Sequence, residues 1–88
     1  MIPELNDALR RNLFAPPAQS EVVLTAGVAA LSDGARLALF DEVRCFEDFT
    51  PDNDPYGERD FGAIDFRGER YFFKINQRTI TIMRADEY

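Results

Sequence analysis

The stretch DFTPDNDPYGERDFG, residues 48–62, concentrates the oxygen-bearing side chains of this sequence that could do chemistry. From Asp52 it reads D-x-D-x-x-G, which resembles the start of a calcium-binding EF-hand loop. The pattern then fails, because Tyr56 stands where a third oxygen ligand belongs and Ala63 where the bidentate glutamate belongs. The sequence therefore excludes an EF-hand. It leaves an irregular divalent-cation site as an alternative, with the candidate ligands Asp52, Asp54, Glu58 and Asp60.

Other side chains with catalytic chemistry are scarce. The chain has no histidine, which excludes Ser-His and Cys-His pairs, the HExxH helix and bis-histidine metal sites. Its lone Cys45 lies near acidic residues that disfavour the thiolate, so the sequence predicts a core position rather than a nucleophile. Paired carboxylates without other pocket-forming partners are weak candidates for acid-base work. We predict that the protein is not an enzyme and holds no cofactor.

The net charge of the chain is confined to one region. Residues 41–60 contain eight acidic and two basic residues, a formal charge of −6 that equals the charge of the whole chain. Such a surface repels nucleic acid and suits a basic protein partner. We call residues 47–60 the acidic loop. We predict that it binds a basic protein surface, without direct nucleic-acid binding, through Glu47, Asp48, Asp52, Asp54, Tyr56, Glu58, Arg59 and Asp60.

Other interpretations of the acidic loop stay open. Acidic residues often only keep a helix end and a loop solvated, in which case the chain is a structural domain with no separable activity. A metal-binding domain or enzyme built on the same carboxylates is a further alternative. Among binding roles, one expected mode is inhibition by occupying the nucleic-acid site of a partner. Within the loop, we predict side-chain turns at Asp52 and Asn53 and a positive φ at Gly57.

Length and composition bound the fold and its setting. The 88 residues, 45% of them hydrophobic and eight of them phenylalanine, suffice for one domain spanning residues 1–88. A single cysteine forms no internal disulfide, and no apolar run approaches the roughly 20 residues of a membrane span. The N-terminus MIPELNDALRR lacks the apolar core of a secretion signal, so we expect a cytoplasmic, bacterial-type protein without membrane contact. The sequence does not indicate an oligomeric state, and a homodimer stays open.

Apolar spacing predicts two helices. The first covers PELNDALRRNLF, residues 3–14, with a stripe formed by Leu5, Ala8, Leu9 and Leu13. The second and main helix begins after the N-cap Ser32 and ends near Asp48, because Pro51 disfavours helical backbone before it. Its buried stripe is expected to comprise Ala35, Leu39, Val43 and Phe46, widened by Phe40.

β-branched and aromatic residues predict four strands. The first runs from about Val22 to Thr25 and stops at a turn marked by Gly27. The last three, at about residues 60–66, 70–76 and 79–83, are joined by short connections with Gly68 as a hairpin signal, so they form an antiparallel meander. The predicted fold is a small α+β domain in the order α-β-α-β-β-β. Its meander and the earlier strand pack against two helices.

The motifs LTAGVAAL, DNDPYGERDFG and TIMRADEY together resemble a small bacterial family known as domain of unknown function 3768. The likeness runs from Leu5 to Tyr88 and implies a compact cytoplasmic domain with no established activity, substrate or catalytic residue. The chain departs from the family at two places. The family commonly has histidine at the position of Arg59, and a longer, acidic and tyrosine-bearing insertion where this chain has KINQRTITIM. A family chemistry that used those groups is not expected here.

Overall fold

Three helices and four strands follow one another in the computed structural model, which describes residues 2–88. The helices are α1 (Ile2–Arg11), α2 (Ala26–Ala29) and α3 (Asp33–Arg44). The strands are β1 (Glu21–Leu24), β2 (Phe61–Phe66), β3 (Glu69–Asn76) and β4 (Thr79–Arg84), and a 3-10 turn follows at Ala85–Glu87. None of the described helices combines the length and apolarity that crossing a membrane requires.

The four strands form one mixed sheet in the order β1-β4-β3-β2. β2, β3 and β4 are a meander of antiparallel neighbours. Arg67 and Gly68, between β2 and β3, have φ of 52° and 80°, a backbone that matches the twist of a two-residue hairpin. β1 joins the other side of β4 in parallel, so the chain between them must cross over. The predicted α+β fold, with a meander and one earlier strand, is therefore confirmed.

The core lies between one face of the sheet and the helices. Phe73, Ile80 and Ile82 are fully buried near the middle of the sheet, in one cluster with Leu39 and Val43 of α3. Burying each such side chain contributes about 1.5–3 kcal/mol to the hydrophobic stabilisation. The helix α3 begins as predicted at the N-cap Ser32, whose hydroxyl accepts a hydrogen bond from the Ala35 N–H.

The predicted stripe of α3 is right for its three helical members, Ala35, Leu39 and Val43, which are buried. The helix ends at Arg44, however, and not near Asp48. Arg10 of α1 donates to the Val43 and Arg44 carbonyls, which a longer helix would use for its own hydrogen bonds. Phe46 therefore enters the core from the loop, half-buried, with its ring edge-on to Phe73 at 5.3 Å between centroids.

Cys45 caps the C-terminal end of α3 and is exposed, so the predicted core position of this thiol is wrong. The early end of the helix turns this residue outwards, while Val43 and Phe46 on either side point to the core. The first helix is also shorter than predicted, since α1 ends at Arg11 rather than Phe14. There the Asn12 side-chain amide donates to the Ala8 carbonyl (2.6 Å).

Two of the four residues predicted to form the buried stripe of the first helix are exposed. Leu9 and Leu13 are buried, but Leu5 is 61% exposed and Ala8 is exposed as well. Asn6 and Arg10 take the buried positions on this helix. Both polar side chains find hydrogen-bond partners in the acidic loop or in α3, so the inner face of α1 combines apolar packing with polar attachment.

The short helix α2 stands where the sequence predicts a turn at Gly27. A Cβ at Gly27 would overlap the Arg84 side chain and would lie 2.7 Å from Glu87 Oε1, so a close approach requires this glycine. The Glu87 carboxylate accepts hydrogen bonds from the Thr25 hydroxyl (2.6 Å) and the Gly27 N–H (2.7 Å). These hydrogen bonds lower the pKa of Glu87 and tie the 3-10 turn to the start of α2.

Candidate functional site

The central residue of the site is Arg10, whose side chain is completely buried between α1, α3 and the acidic loop. Its Nη1 donates to the carbonyls of Val43 (3.0 Å) and Arg44 (2.9 Å), and its Nη2 donates to Asp7 Oδ1 (3.2 Å). The last carbonyls of a helix carry partial negative charge, so a cation at this position stabilises α3. The Phe49 ring centroid lies 5.5 Å from the same guanidinium, which places the first part of the loop against it.

Asp7 links this buried arginine to a second one on the loop. Arg59 Nη1 donates to Asp7 Oδ2 at 2.8 Å, while the other oxygen receives Arg10. Burial alone would raise the pKa of Asp7, but the hydrogen bonds from Arg59 and Arg10 and their charges outweigh it, so this pKa lies below its usual value. The same contact with Asp7 raises the pKa of Arg59. The loop is thus attached to α1 by a charged network.

Short-range hydrogen bonds shape the acidic loop itself. The Thr50 N–H donates to Asn53 Oδ1 (2.8 Å), and Asn53 Nδ2 donates to the Asp48 carbonyl (2.8 Å). Asp54 Oδ1 accepts the N–H groups of Glu58 (3.0 Å) and Arg59 (3.2 Å). Side-chain turns are therefore confirmed at Asn53, while the second one is made by Asp54 and not by Asp52.

Two residues of the loop have left-handed backbone. Gly57 has a φ of +66°, as predicted for this glycine. Arg59 has a φ of 54°, a backbone conformation that residues other than Gly, Asn and Asp rarely adopt. The Arg59 N–H is held by Asp54 and its guanidinium by Asp7, so hydrogen bonds at both ends of the residue stabilise this conformation.

A cleft of about 540 Å³ separates the start of α1 from the loop. The Phe49 ring lies 5.6 Å from the Arg59 guanidinium, and both residues line the cleft. Carboxylates of Glu4, Asp7 and Asp54 line it together with three prolines: Pro3, Pro51 and Pro55. The lining therefore carries both charges, because Asp7 is already paired with Arg10 and Arg59 and Asp54 accepts from the backbone.

The structure separates the eight predicted binding residues into three places. Asp54 and Arg59 line the cleft. Glu58 and Asp60 are half-buried and line a second cavity, on the other side of the loop, against α1 and the connection between β3 and β4. The remaining four are exposed on the outer surface: Glu47, Asp48, Asp52 and Tyr56. Tyr56 is 86% exposed, and the Glu47 carboxylate pairs with Arg11 at 2.8 Å.

The alternative of a metal site gains no support from the geometry of residues 2–88. Within that range, no three carboxylate or thiol side chains come close enough together to hold a metal ion. Asp54, one of its four candidate ligands, instead accepts hydrogen bonds from the backbone.

Asp7 and Arg10 were not predicted as site residues, although both organise the loop. Sequence reasoning assigned α1 to the core by its apolar residues alone. A signal was present, because Asn6 precedes Leu9 by three residues and Arg10 precedes Leu13 by three, a spacing that places each pair on one face of a helix. The partners of the two residues lie 33 or more positions away, at Val43 and at Glu58, which spacing within one helix cannot reveal.

Comparison with known proteins gives a family and no function. A family described as Protein of unknown function (DUF3768) matches residues 24–78, which include α2, α3, the acidic loop, β2 and β3. Comparisons with curated proteins and with solved structures return no match. The family match covers more than half of the 88 residues. The resemblance noted in the sequence is thereby confirmed, and the chain belongs to the DUF3768 family of proteins of unknown function.

Proposed function

We propose that the protein is a small acidic binding module, not an enzyme, whose acidic loop engages the basic surface of a protein partner. One observation carries the proposal. The loop is held in shape by Thr50, Asn53 and Asp54, whereas four other carboxylates on it form no ion pair with any residue of the described range 2–88: Asp48, Asp52, Glu58 and Asp60. Charge that folding does not neutralise is free to attract a partner.

The attachment of the loop supports the same function. The buried Arg10 and the pair between Asp7 and Arg59 fix the loop to α1, so its free carboxylates are presented on an ordered backbone. A preorganised surface loses less conformational entropy on binding than a mobile one. Exposed charges of this kind raise the rate and specificity of association, and salt screens them over a Debye length of about 8 Å at physiological ionic strength.

The test compares two variants with the same change of charge. The loop variant replaces Asp48 and Asp52 by Asn, Glu58 by Gln and Asp60 by Asn, and it retains Asp54, which shapes the loop. The matched control neutralises four carboxylates outside the loop: Glu21, Asp33, Asp65 and Asp86. The loop variant should keep the fold because its four carboxylates form no ion pair among the described residues. The control should keep it because Asp33, Asp65 and Asp86 pair at exposed positions, where an ion pair adds only about 0–1 kcal/mol.

A lysine-rich peptide serves as the probe, with binding measured by calorimetry over a salt series. We expect wild-type protein and control to bind alike and more weakly as salt rises, while the loop variant loses binding. Equal losses in both variants would refute the proposal, since the attraction would then belong to the net charge and not to the loop. Affinity capture from the native host with the same three proteins identifies the partner. If its basic surface is a nucleic-acid site, an oligonucleotide should compete with the module.

A further inference from the structure

A groove of about 470 Å³ lies between α1 and the connection from β3 to β4, next to the acidic loop. Leu5 and Ala8 of α1 are exposed along it, although a helix normally buries its large apolar side chains. Ile75 of β3 and Pro17 of the segment before β1 continue the apolar lining. Ile75 belongs to the core, whereas Leu5, Ala8 and Pro17 are exposed and form apolar surface that the core does not bury.

Two acidic residues line the groove. Glu58 and Asp60 line it, both half-buried, and neither forms an ion pair with another residue among those described. Their backbone is attached to both walls, because Asn6 Nδ2 of α1 donates to the Glu58 carbonyl (2.8 Å) and the Ile75 N–H of β3 donates to the Asp60 carbonyl (2.8 Å). Two free carboxylates are thus held beside an apolar surface.

The groove lining also contains one basic residue. This residue is Arg78, whose Nη1 donates to the Ala18 carbonyl (3.3 Å) on the segment before β1. The acidic residues are attached to α1 and β3, whereas Arg78 is directed towards residues 17–20. Two carboxylates thus face one guanidinium in the lining, so the groove favours a cation over an anion.

We infer that this groove receives an extended segment of a protein partner in which a large apolar side chain stands beside a lysine or arginine. The apolar side chain packs against Leu5 and Pro17, and the neighbouring cation pairs with the carboxylates of Glu58 and Asp60. Charge complementarity selects this occupant over an acidic or purely apolar one. The inference rests on the proposed binding function and adds the chemistry that the partner must offer.

The test uses three capped tripeptides as probes: lysine-leucine-lysine, lysine-serine-lysine and glutamate-leucine-glutamate. Binding is measured by heteronuclear NMR, from the backbone signals of Leu5, Ala8, Asn76 and Gln77 around the groove. We expect saturable shifts there with lysine-leucine-lysine and at least about fivefold weaker binding of each other peptide. Equal binding of the serine peptide would overturn the inference, and so would equal binding of the glutamate peptide.

Two matched variants separate the groove from the loop. Leu5→Ser removes the apolar wall, and Leu37→Ser removes a leucine that is 52% exposed on α3 and outside the groove. We expect the first to weaken binding of lysine-leucine-lysine at least about fivefold and the second to leave it unchanged. Equal binding by both variants would overturn the inference that the peptide binds in the groove. It would leave the proposed function intact, because that function is tested by neutralising the loop.

A second copy of the chain is the competing occupant. Sedimentation of the wild-type protein and of Leu5→Ser decides between them. Self-association that is lost in Leu5→Ser would assign the groove to a second copy and overturn the inference. Monomeric behaviour of both proteins, together with the peptide results above, supports a segment of another protein.

Discussion

Asp7 shows how one carboxylate can connect distant parts of a small domain. Its side chain is only 13% exposed and accepts hydrogen bonds from Arg10 in its own helix and from Arg59 in the acidic loop. Both arginines stabilise the charged form, so the pKa of Asp7 in the folded protein lies below its usual value. In the unfolded chain these contacts are absent and the pKa returns to about 3.9.

Asp7→Asn tests this contribution through its pH dependence. A lowered folded pKa gives stability that is present above the unfolded pKa and is lost as pH falls through the folded one. At pH 7 we expect the variant to lose about 1.5–3 kcal/mol of unfolding free energy. The difference from wild type should shrink below about pH 4. Urea unfolding over a pH series measures it. Asp65→Asn, which breaks an exposed pair with Arg70, is the control and should change stability less. A pH-independent difference at Asp7 would contradict the assignment.

Gly57 and Gly34 form a second comparison between single residues. Neither site has an atom that would meet an added Cβ within 4 Å, so only the backbone distinguishes them. Gly57 has a φ of +66° in the loop, where alanine costs about 1–2 kcal/mol. Gly34 lies in α3, where alanine gains up to about 1 kcal/mol. Thermal unfolding should therefore show Gly57→Ala destabilised and Gly34→Ala unchanged or stabilised. The reverse order would mean that the loop turn is assigned incorrectly.

At the scale of elements, α1 and α3 cap each other's ends. Arg10 of α1 donates to the last carbonyls of α3, and Arg44 Nε of α3 donates to the Arg11 carbonyl at the end of α1 (3.1 Å). The two contacts differ in burial. The Arg10 side chain is completely buried, whereas the Arg44 side chain is 38% exposed and also pairs with Asp41.

Replacing each of these arginines by methionine tests the difference. Arg10→Met removes the partner of buried carbonyls and one partner of Asp7, so we expect a loss on the order of 3 kcal/mol. Arg44→Met removes a solvent-screened contact and should cost about 0.2–1 kcal/mol. Chemical denaturation with an unchanged slope measures both free energies. Similar losses in the two variants would show that the buried guanidinium is not what fixes α1 to α3.

The elements themselves were predictable where local pattern and packing agree. The meander follows from alternating apolar residues and short connections, and the stripe of α3 follows from helical spacing. The ends of the helices were not predictable, because they depend on side chains from elsewhere in the chain, such as Arg10 at the end of α3. The inward face of α1 was missed for the same reason. Leu5 obeys the apolar spacing but lies outside, since Asn6 and Arg10 have polar partners inside.

At the scale of the whole molecule, the acidic loop is attached to both α1 and β3. Its position in the chain and its charge were predictable from composition. The sequence did not predict that some loop residues line the cleft and others line the groove, because α1 contributes walls to both. The sequence predicted where the charge lies, while the tertiary structure determines which carboxylates form contacts within the fold and which stay unpaired among the described residues.

The parallel pairing of β1 with β4 has a consequence for the order in which the molecule folds. Each residue of β1 lies 58 positions before its partner, whereas the hairpins of the meander close over a few residues. Closing a long chain segment costs more entropy than closing a short one, so β1 should dock after the transition state for folding. Leu24→Ala in β1 should therefore accelerate unfolding and leave the folding rate nearly unchanged, while Ile64→Val in β2 should slow folding. Stopped-flow chevrons measure both rates, and a slowed folding arm for Leu24→Ala would place β1 in the nucleus instead.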